Sequence, residues 1–378
     1  MHIKKFKECI YTQANTYFDS VLHAINQAQK QIDMEVYIFD IDHIGTRIAQ
    51  ALIRAAERGV NVRLLVDGMG VGLNFIPVAK RLKDAGALIR IHRPLPWHFK
   101  LWALSLSSIK GLQKFWYLFS YINQRNHRKL LIIDHHAIWL GSINVSQKHL
   151  TRNQGGENWR DTAISLHNID TRTIQSVYNL NWRKKTRKAK KRLAQHLHST
   201  PFLLNFTRIL RQQKRRNLIS RISAAQNFIW ITNAYFIPDS KFLSTLISAS
   251  KKGIDVRIVL PHKSDVFFMP WVSSFFYEQL LNANVRIYEY QAGILHAKTL
   301  IIDNWASVGS SNLNQRSLQH DLEIDYVLQS SKSTDKLTDD FLRDLRHSEE
   351  LCHANLSTKK LWQRHLGGLI LVLFSYWL

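Results

Sequence analysis

His127 and Lys129, with Asp134 five residues further on, and His296 and Lys298, with Asp303 five residues further on, make the same string twice in one chain. Each is H-x-K-x4-D, and each is followed by Gly-Ser-x-Asn. The tails are Gly141-Ser142-Ile143-Asn144 and Gly309-Ser310-Ser311-Asn312. A lone His-x-Lys is usually an ordinary core or surface pair. Two full copies with the same tail are not coincidence. Residues i and i+2 of a strand share a face, so the His and Lys of each copy project together. The apolar residues behind them, 130–133 and 300–302, bury the rest of each strand, and a turn returns Gly-Ser-x-Asn beside the pair.

Two such sets facing each other supply two imidazoles, two ammonium groups and two amides, which is a pocket for a phosphodiester. Lys129, Lys298, Asn144 and Asn312 stabilise charge on phosphoryl oxygens, and Ser142 and Ser310 are grouped with the phosphate-binding set. One imidazole attacks phosphorus and the other protonates the leaving alkoxide. The arrangement requires no metal and no organic cofactor. Asp134 and Asp303 belong to the string and are counted with the catalytic set. Their odd spacing from Lys turns them away on an unbroken strand, which predicts a structural or supporting role. The first turn holds six residues between Asp and Gly and the second holds five.

The elements that position these residues are duplicated too. Ala28-Gln29-Lys30-Gln31-Ile32 and Ala225-Gln226-Asn227-Phe228-Ile229 each lead into an apolar strand-like run and then a helix-like one, 48–58 and 242–252. Both helices end at Gly, residues 59 and 253, before β-branched strands. Further strands follow at 87–92 and 284–290. This order predicts α/β halves with a buried sheet covered on both faces, related by a pseudo-twofold axis. The expected divisions are 1–181 and 218–345 for the halves, with a basic linker over 182–217 and a tail over 346–378.

The chain has 378 residues, enough for two domains, and is 45% hydrophobic, which excludes disorder as its main state. Two cysteines, Cys9 and Cys352, exclude a disulfide scaffold and suit a reducing compartment. No secretory signal and no stretch long enough to span a bilayer is visible. A net charge of +24 points to a polyanionic partner, nucleic acid or an acidic membrane, and charge alone does not separate them. The basic stretch 182–217 reads either as a solvated linker or as a footprint on phosphates.

At this point the chain resembles the phospholipase D superfamily, whose signature is this duplicated string. Within it the chain is similar to bacterial cardiolipin synthases of the short type without N-terminal transmembrane helices. Residues 126–134, 158–162, 233–236, 305–312 and 317–323 carry the finer likeness, and the resemblance covers nearly the whole chain. It implies two pseudo-symmetric α/β/α sandwich halves with the active site at their interface. It implies ping-pong phosphatidyl transfer: one His attacks phosphatidylglycerol, glycerol leaves, and the hydroxyl of a second phospholipid resolves the phosphatidyl-histidine. His127 is the expected nucleophile and His296 the acid. Asp161 and Glu323 match the acids that the family places behind the two histidines. The implied position is peripheral, on the cytoplasmic face of a bacterial inner membrane.

Two segments have no counterpart in the repeat. Residues 93–126 insert before the first motif and are rich in Trp, Phe, Tyr and Leu with interspersed Lys. They read as a helical subdomain or as an interfacial element that docks at the membrane. The apolar end of the tail reads as a core-docked helix or a second interfacial element. Competing functions are hydrolysis of phospholipids, a nuclease using the basic charge, and a non-catalytic lipid-binding protein, the last opposed by two intact motifs.

Overall fold

The structure, a computed structural model, describes residues 6–105, 124–183, 186–195, 197, 200–354 and 361–374. The first half opens with β1 (Lys7–Tyr11), the helix Ala14–Gln27 and β2 (Gln31–Val36). The helix His43–Glu57, β3 (Asn61–Asp67), the helix Phe75–Asp84 and β4 (Leu88–His92) follow. Asp42 caps the second of these helices by accepting from the Gly45 N–H at 2.9 Å. β5 (Leu130–Ile133), β6 (Ala137–Gly141) and β7 (Ala163–His167) complete a sheet of order β1-β7-β6-β5-β2-β3-β4. β2 runs parallel to β3 and antiparallel to β5, with Met34 opposite Leu131.

The second half repeats this. β8 (Phe202–Leu204), the helix Arg208–Ala224, β9 (Phe228–Thr232), the helix Ser240–Lys251 and β10 (Asp255–Pro261) come first. Then come β11 (Arg286–Tyr290), β12 (Thr299–Ile302), β13 (Trp305–Gly309), β14 (Ile324–Val327) and β15 (Ser348–Leu351). The order is β15-β11-β10-β9-β12-β13-β14-β8. Read inward from β4 and from β11, the two sheets match strand for strand, and β15 adds an edge. The basic stretch therefore supplies β8 and the start of a helix, and residues 348–351 of the expected tail join the second sheet.

β5 shows how the halves are joined. Leu131 and Ile133 face the first-half helices, while Leu130 and Ile132 enter a core shared with Val259, Tyr288, Ile301, Val308 and Tyr326 of the other sheet. Each such fully buried side chain contributes about 1.5–3 kcal/mol, so the sheets are held face to face by apolar burial. The glycines of the two tails permit the next step. A Cβ on Gly141 would collide with the backbone of Ala163, and one on Gly309 with Asp325.

The longer first turn is taken up at His135, which joins Asp134 in the left-handed region (φ 61° and 49°), whereas the second turn uses Asp303 alone (φ 47°). The aromatic insertion falls mostly on 106–123, outside the described residues. Its described start exposes Trp97 and Phe99 and buries Leu101 and Trp102. The terminal helix Leu361–Phe374 lies so close against Met269–Ser274 that a Cβ on Gly367 would strike the Trp271 carbonyl.

Candidate active site

The lead-in to each motif pairs with the opposite half. The His127 N–H donates to the Leu322 carbonyl at 3.0 Å, and the Leu322 N–H donates to the Arg125 carbonyl at 2.8 Å. Likewise the His296 and Ala297 N–H groups donate to the Arg160 carbonyl at 2.8 and 3.0 Å, and the Arg160 N–H donates to Ile294. The next residue on each partner strand is an acid. Glu323 Oε1 lies 3.0 Å from His127 Nδ1, and Asp161 Oδ1 lies 2.8 Å from His296 Nδ1. Each imidazole thus takes its carboxylate from the other half. The carboxylate holds Nδ1 and leaves Nε2 for the cleft.

The cleft has a volume of about 650 Å³ and is lined by His127, His296, Asn144, Asn312, Tyr37 and Tyr235, among others. Lys129 Nζ donates to the His127 carbonyl at 2.8 Å, and Lys298 Nζ donates to the His296 carbonyl. Burial, with Lys298 nearby, pushes Lys129 down to about 7, and burial pushes Lys298 down to about 8. Burial and the two lysines hold His127 well below its ordinary value. Burial and Lys298 lower His296, against the pull of Asp161. Burial raises Glu323 to about 7. Burial opposes ionisation of Asp161 too, but His296 and His149 together hold it well below the carboxylate range. A buried site with two depressed lysines is short of negative charge, and an anionic phosphoryl group supplies it.

The structure brings His127, Lys129, Asn144, Asp161, His296, Lys298, Asn312 and Glu323 together. Among the described residues the buried Asn312 Oδ1 has no hydrogen-bond partner. The other four residues of the expected set are placed differently. Asp134 accepts from the backbone N–H groups of Gln29, Lys30 and Gln31 at 2.7–2.9 Å, and Asp303 from those of Gln226, Asn227 and Phe228 at 2.8–3.0 Å. They are not at the cleft; they tie the hairpin turn to the start of β2 or β9. Ser142 and Ser310, expected among the phosphate ligands, are fully buried. Ser142 Oγ donates to the Thr162 carbonyl at 3.0 Å, and Ser310 Oγ to Glu323 at 2.5 Å. They lie where the strand still pairs with its neighbour, so their hydroxyls stay inside.

Several groups at the site were not singled out from sequence. His149 Nδ1 sits 2.6 Å from Asp161, so that carboxylate holds two imidazoles, His296 and His149, and the Asn144 N–H donates to His149 Nε2. Tyr37 packs edge-on against His127 and lies 5.2 Å from Lys129 Nζ. The Tyr235 hydroxyl donates to Asp265 at 2.6 Å, and Arg316 pairs with Asp321 at 3.1 Å on the cleft wall. Tyr37 and Tyr235 lie just past β2 and β9, one position apart in the repeat, so the repeat does not pair them. His149 has no sequence signal either.

A family model described as cardiolipin synthase, PLD-like domain, matches residues 21–157 and 218–345. A protein named cardiolipin synthase from Clostridium perfringens strain SM101 is 33% identical over 380 residues, covering 97% of this chain and 76% of the relative. Another of that name from Halalkalibacterium halodurans is 31% identical over 372 residues, covering 94% and 69%. Among solved structures, phosphatidylserine synthase of Haemophilus influenzae Rd KW20 superposes with a TM-score of 0.67 at 12% identity, covering 100% of this chain and 94% of that one. At that identity the likeness is one of fold. The chain belongs to the cardiolipin synthase family with PLD-like domains.

Proposed function

We propose that this chain transfers a phosphatidyl group from phosphatidylglycerol to the hydroxyl of a second phospholipid, typically phosphatidylglycerol, with release of glycerol. The observation that carries the reading is the pair of buried imidazoles, each with Nδ1 on a carboxylate and Nε2 open to one cleft. His127 is the nucleophile: burial and the two lysines hold it well below its ordinary value, and the Glu323 carboxylate on Nδ1 leaves Nε2 free to attack. His296 is the acid, because Asp161 behind it stays ionised and favours the imidazolium. Nε2 of His127 bonds to phosphorus as the bond to the glycerol oxygen breaks, and His296 gives that oxygen its proton. The incoming hydroxyl then returns a proton to His296 as its oxygen bonds to phosphorus and the P–N bond breaks. Lys129, Lys298, Asn144 and Asn312 hold the phosphoryl oxygens.

The reading places the reaction at an anionic phospholipid surface, on the cytoplasmic side. The chain carries +24, and exposed Phe267, Phe275, Leu369, Val372 and Leu373 stand beside the cleft that Phe268 and Ile370 line. No helix of the described residues is long and apolar enough to cross a membrane.

The test is a mixed-micelle reaction with labelled phosphatidylglycerol as the sole lipid, run with wild type, His127→Ala and His296→Ala. Cardiolipin and glycerol from wild type, and neither from the variants, is the expected result. Phosphatidic acid alone would replace the transferase with a hydrolase, and digestion of added DNA without a lipid product would replace both.

A further inference from the structure

The two halves share a backbone but not a filling. In the first half the space between the helix Ala14–Gln27 and the sheet is closed by Tyr11, Tyr17 and Trp139. Trp139 Nε1 donates to Ser20 Oγ at 3.0 Å, and the Tyr11 hydroxyl bonds Ser20 Oγ at 2.9 Å and Ser165 Oγ at 3.1 Å. Strand register fixes the equivalents in the second half. Leu131 lies opposite Trp139 as Leu300 lies opposite Ser307, and Tyr11 opposite Ala163 as Leu203 opposite Asp325. The helices Ala14–Gln27 and Arg208–Ala224 end alike, with the Ala28 N–H on the Ile25 carbonyl and the Ala225 N–H on the Ile222 carbonyl. Lys214 therefore stands where Tyr17 does, and Arg221 where Ala24 does.

Three aromatic side chains of one half are thus leucine, lysine and serine in the other. The consequence is a cavity of about 360 Å³ in the second half, against about 10 Å³ in the matching place of the first. Natural interiors rarely keep voids of this size, because lost packing destabilises the fold. Its lining states what it would take. Four leucines, Leu203, Leu218, Leu300 and Leu313, line it beside the buried polar residues Asn233, Thr299 and Ser307. Lys214 is already neutralised by Asp325 and donates to Ser311. Arg221, exposed at the opening, has no carboxylate partner among the described residues, and its guanidinium lies 4.8 Å over the Trp305 ring. Lys298 borders the cavity, whereas the cleft lies on the side of His127 and His296.

We propose that this cavity binds a single-chain anionic amphiphile, with its head on Arg221 and its tail among the leucines. Among the described residues that line the cavity, Arg221 is the exposed cation without a carboxylate partner, and with the leucines beside it, it matches one negative head and one chain. The cavity shares Lys298 with the catalytic set, but neither His127 nor His296 lines it, and the proposal does not depend on the reaction assigned to the cleft.

Calorimetric titration of the full chain with decanoate and with decyl phosphate, each below its micelle concentration, tests it. Decanol and inorganic phosphate are the comparison ligands. Saturable binding of both amphiphiles is expected, with decanol and phosphate each at least ten-fold weaker. Ser307→Trp, which restores the plug of the first half, should weaken amphiphile binding at least ten-fold while lipid turnover persists. Arg221→Gln, a surface change that leaves the fold intact, should weaken both amphiphiles at least five-fold and decides the matter if Ser307→Trp does not fold. Two results would overturn the proposal: binding unaffected by either variant, which puts the amphiphile in the cleft, and phosphate binding as tightly as decyl phosphate, which makes the site one for anions alone.

Discussion

Glu323 Oε1 and His127 Nδ1 lie 3.0 Å apart and come from opposite halves of the chain, and Asp161 and His296 repeat the relationship at 2.8 Å in the reverse sense. The exchange follows from the backbone. Residue 322 pairs with 126 and residue 160 with 295, so the acid one position on is delivered beside the histidine one position on. Orientation of each imidazole is therefore an interface property.

Removing either acid should impair the reaction more than binding. Glu323→Gln and Asp161→Asn keep the shape but lose the charge that selects the tautomer. We expect turnover to fall roughly 10²–10⁴-fold, with Asp161→Asn the more severe because it also frees His149. Steady-state kcat and KM on micellar phosphatidylglycerol, with KM within a few-fold of wild type, are the check.

The lysines give the cleft a pH dependence. In the empty site Lys129 titrates at about 7 and Lys298 at about 8, both below the ordinary lysine value because burial disfavours the ammonium. A bound phosphodiester favours the charged form and raises both. Binding of a soluble diester such as glycerophosphoglycerol should therefore be strongest below pH 7 and weaken as pH rises past 8. At pH 8 it should take up protons. Calorimetry in buffers of different ionisation enthalpy measures that uptake, and a pH-independent affinity would refute it.

The motif aspartates act on stability. Asp134 holds three backbone N–H groups and its carboxyl sits below the ordinary range; burial raises it, but those three hydrogen bonds outweigh burial. A depressed carboxylate contributes stability above its unfolded value, lost as pH falls through the folded one. Asp134→Ala should cost about 1–3 kcal/mol near neutral pH, with the loss shrinking toward pH 3. Turnover per folded molecule should stay within about two-fold of wild type. Urea unfolding at two pH values, beside an activity assay, would show otherwise if the residue were catalytic.

The apolar rim should serve the bilayer and not the chemistry. Phe267 is 72% exposed and Phe275 49%. Phe267→Ser with Phe275→Ser should reduce sedimentation with phosphatidylglycerol vesicles several-fold. Hydrolysis or transfer of a short-chain monomeric substrate should be unchanged. Equal vesicle binding by the double variant would remove this face from the membrane reading.

Much of this was legible in the sequence, for physical reasons. His127-x-Lys129 and His296-x-Lys298 are dense local strings, and strand–helix alternation survives duplication because both halves must bury the same sheet. What escaped depends on contacts between distant residues. β8 is three residues long, Phe202–Leu204, and reads as linker because a strand that short has no period. Ser142 and Ser310 were grouped with the phosphate ligands because residue type says nothing of which way a hydroxyl turns. The crossing of Glu323 to His127 cannot be read from either half alone. The difference between Trp139 and Ser307 was visible once the halves were aligned, but its meaning as a void required Tyr11, Tyr17 and their counterparts to be seen around it.

The crossed carboxylates bear on ancestry and assembly. A single half presents a histidine whose acid resides on another copy, so a lone ancestor of such a half would have worked only as a pair, and fusion of two genes would have preserved an obligate partnership inside one polypeptide. Once joined, the copies were free to diverge everywhere except at the shared seam. A chain cut between 183 and 200 should accordingly be silent as separate fragments and recover activity when both are produced together.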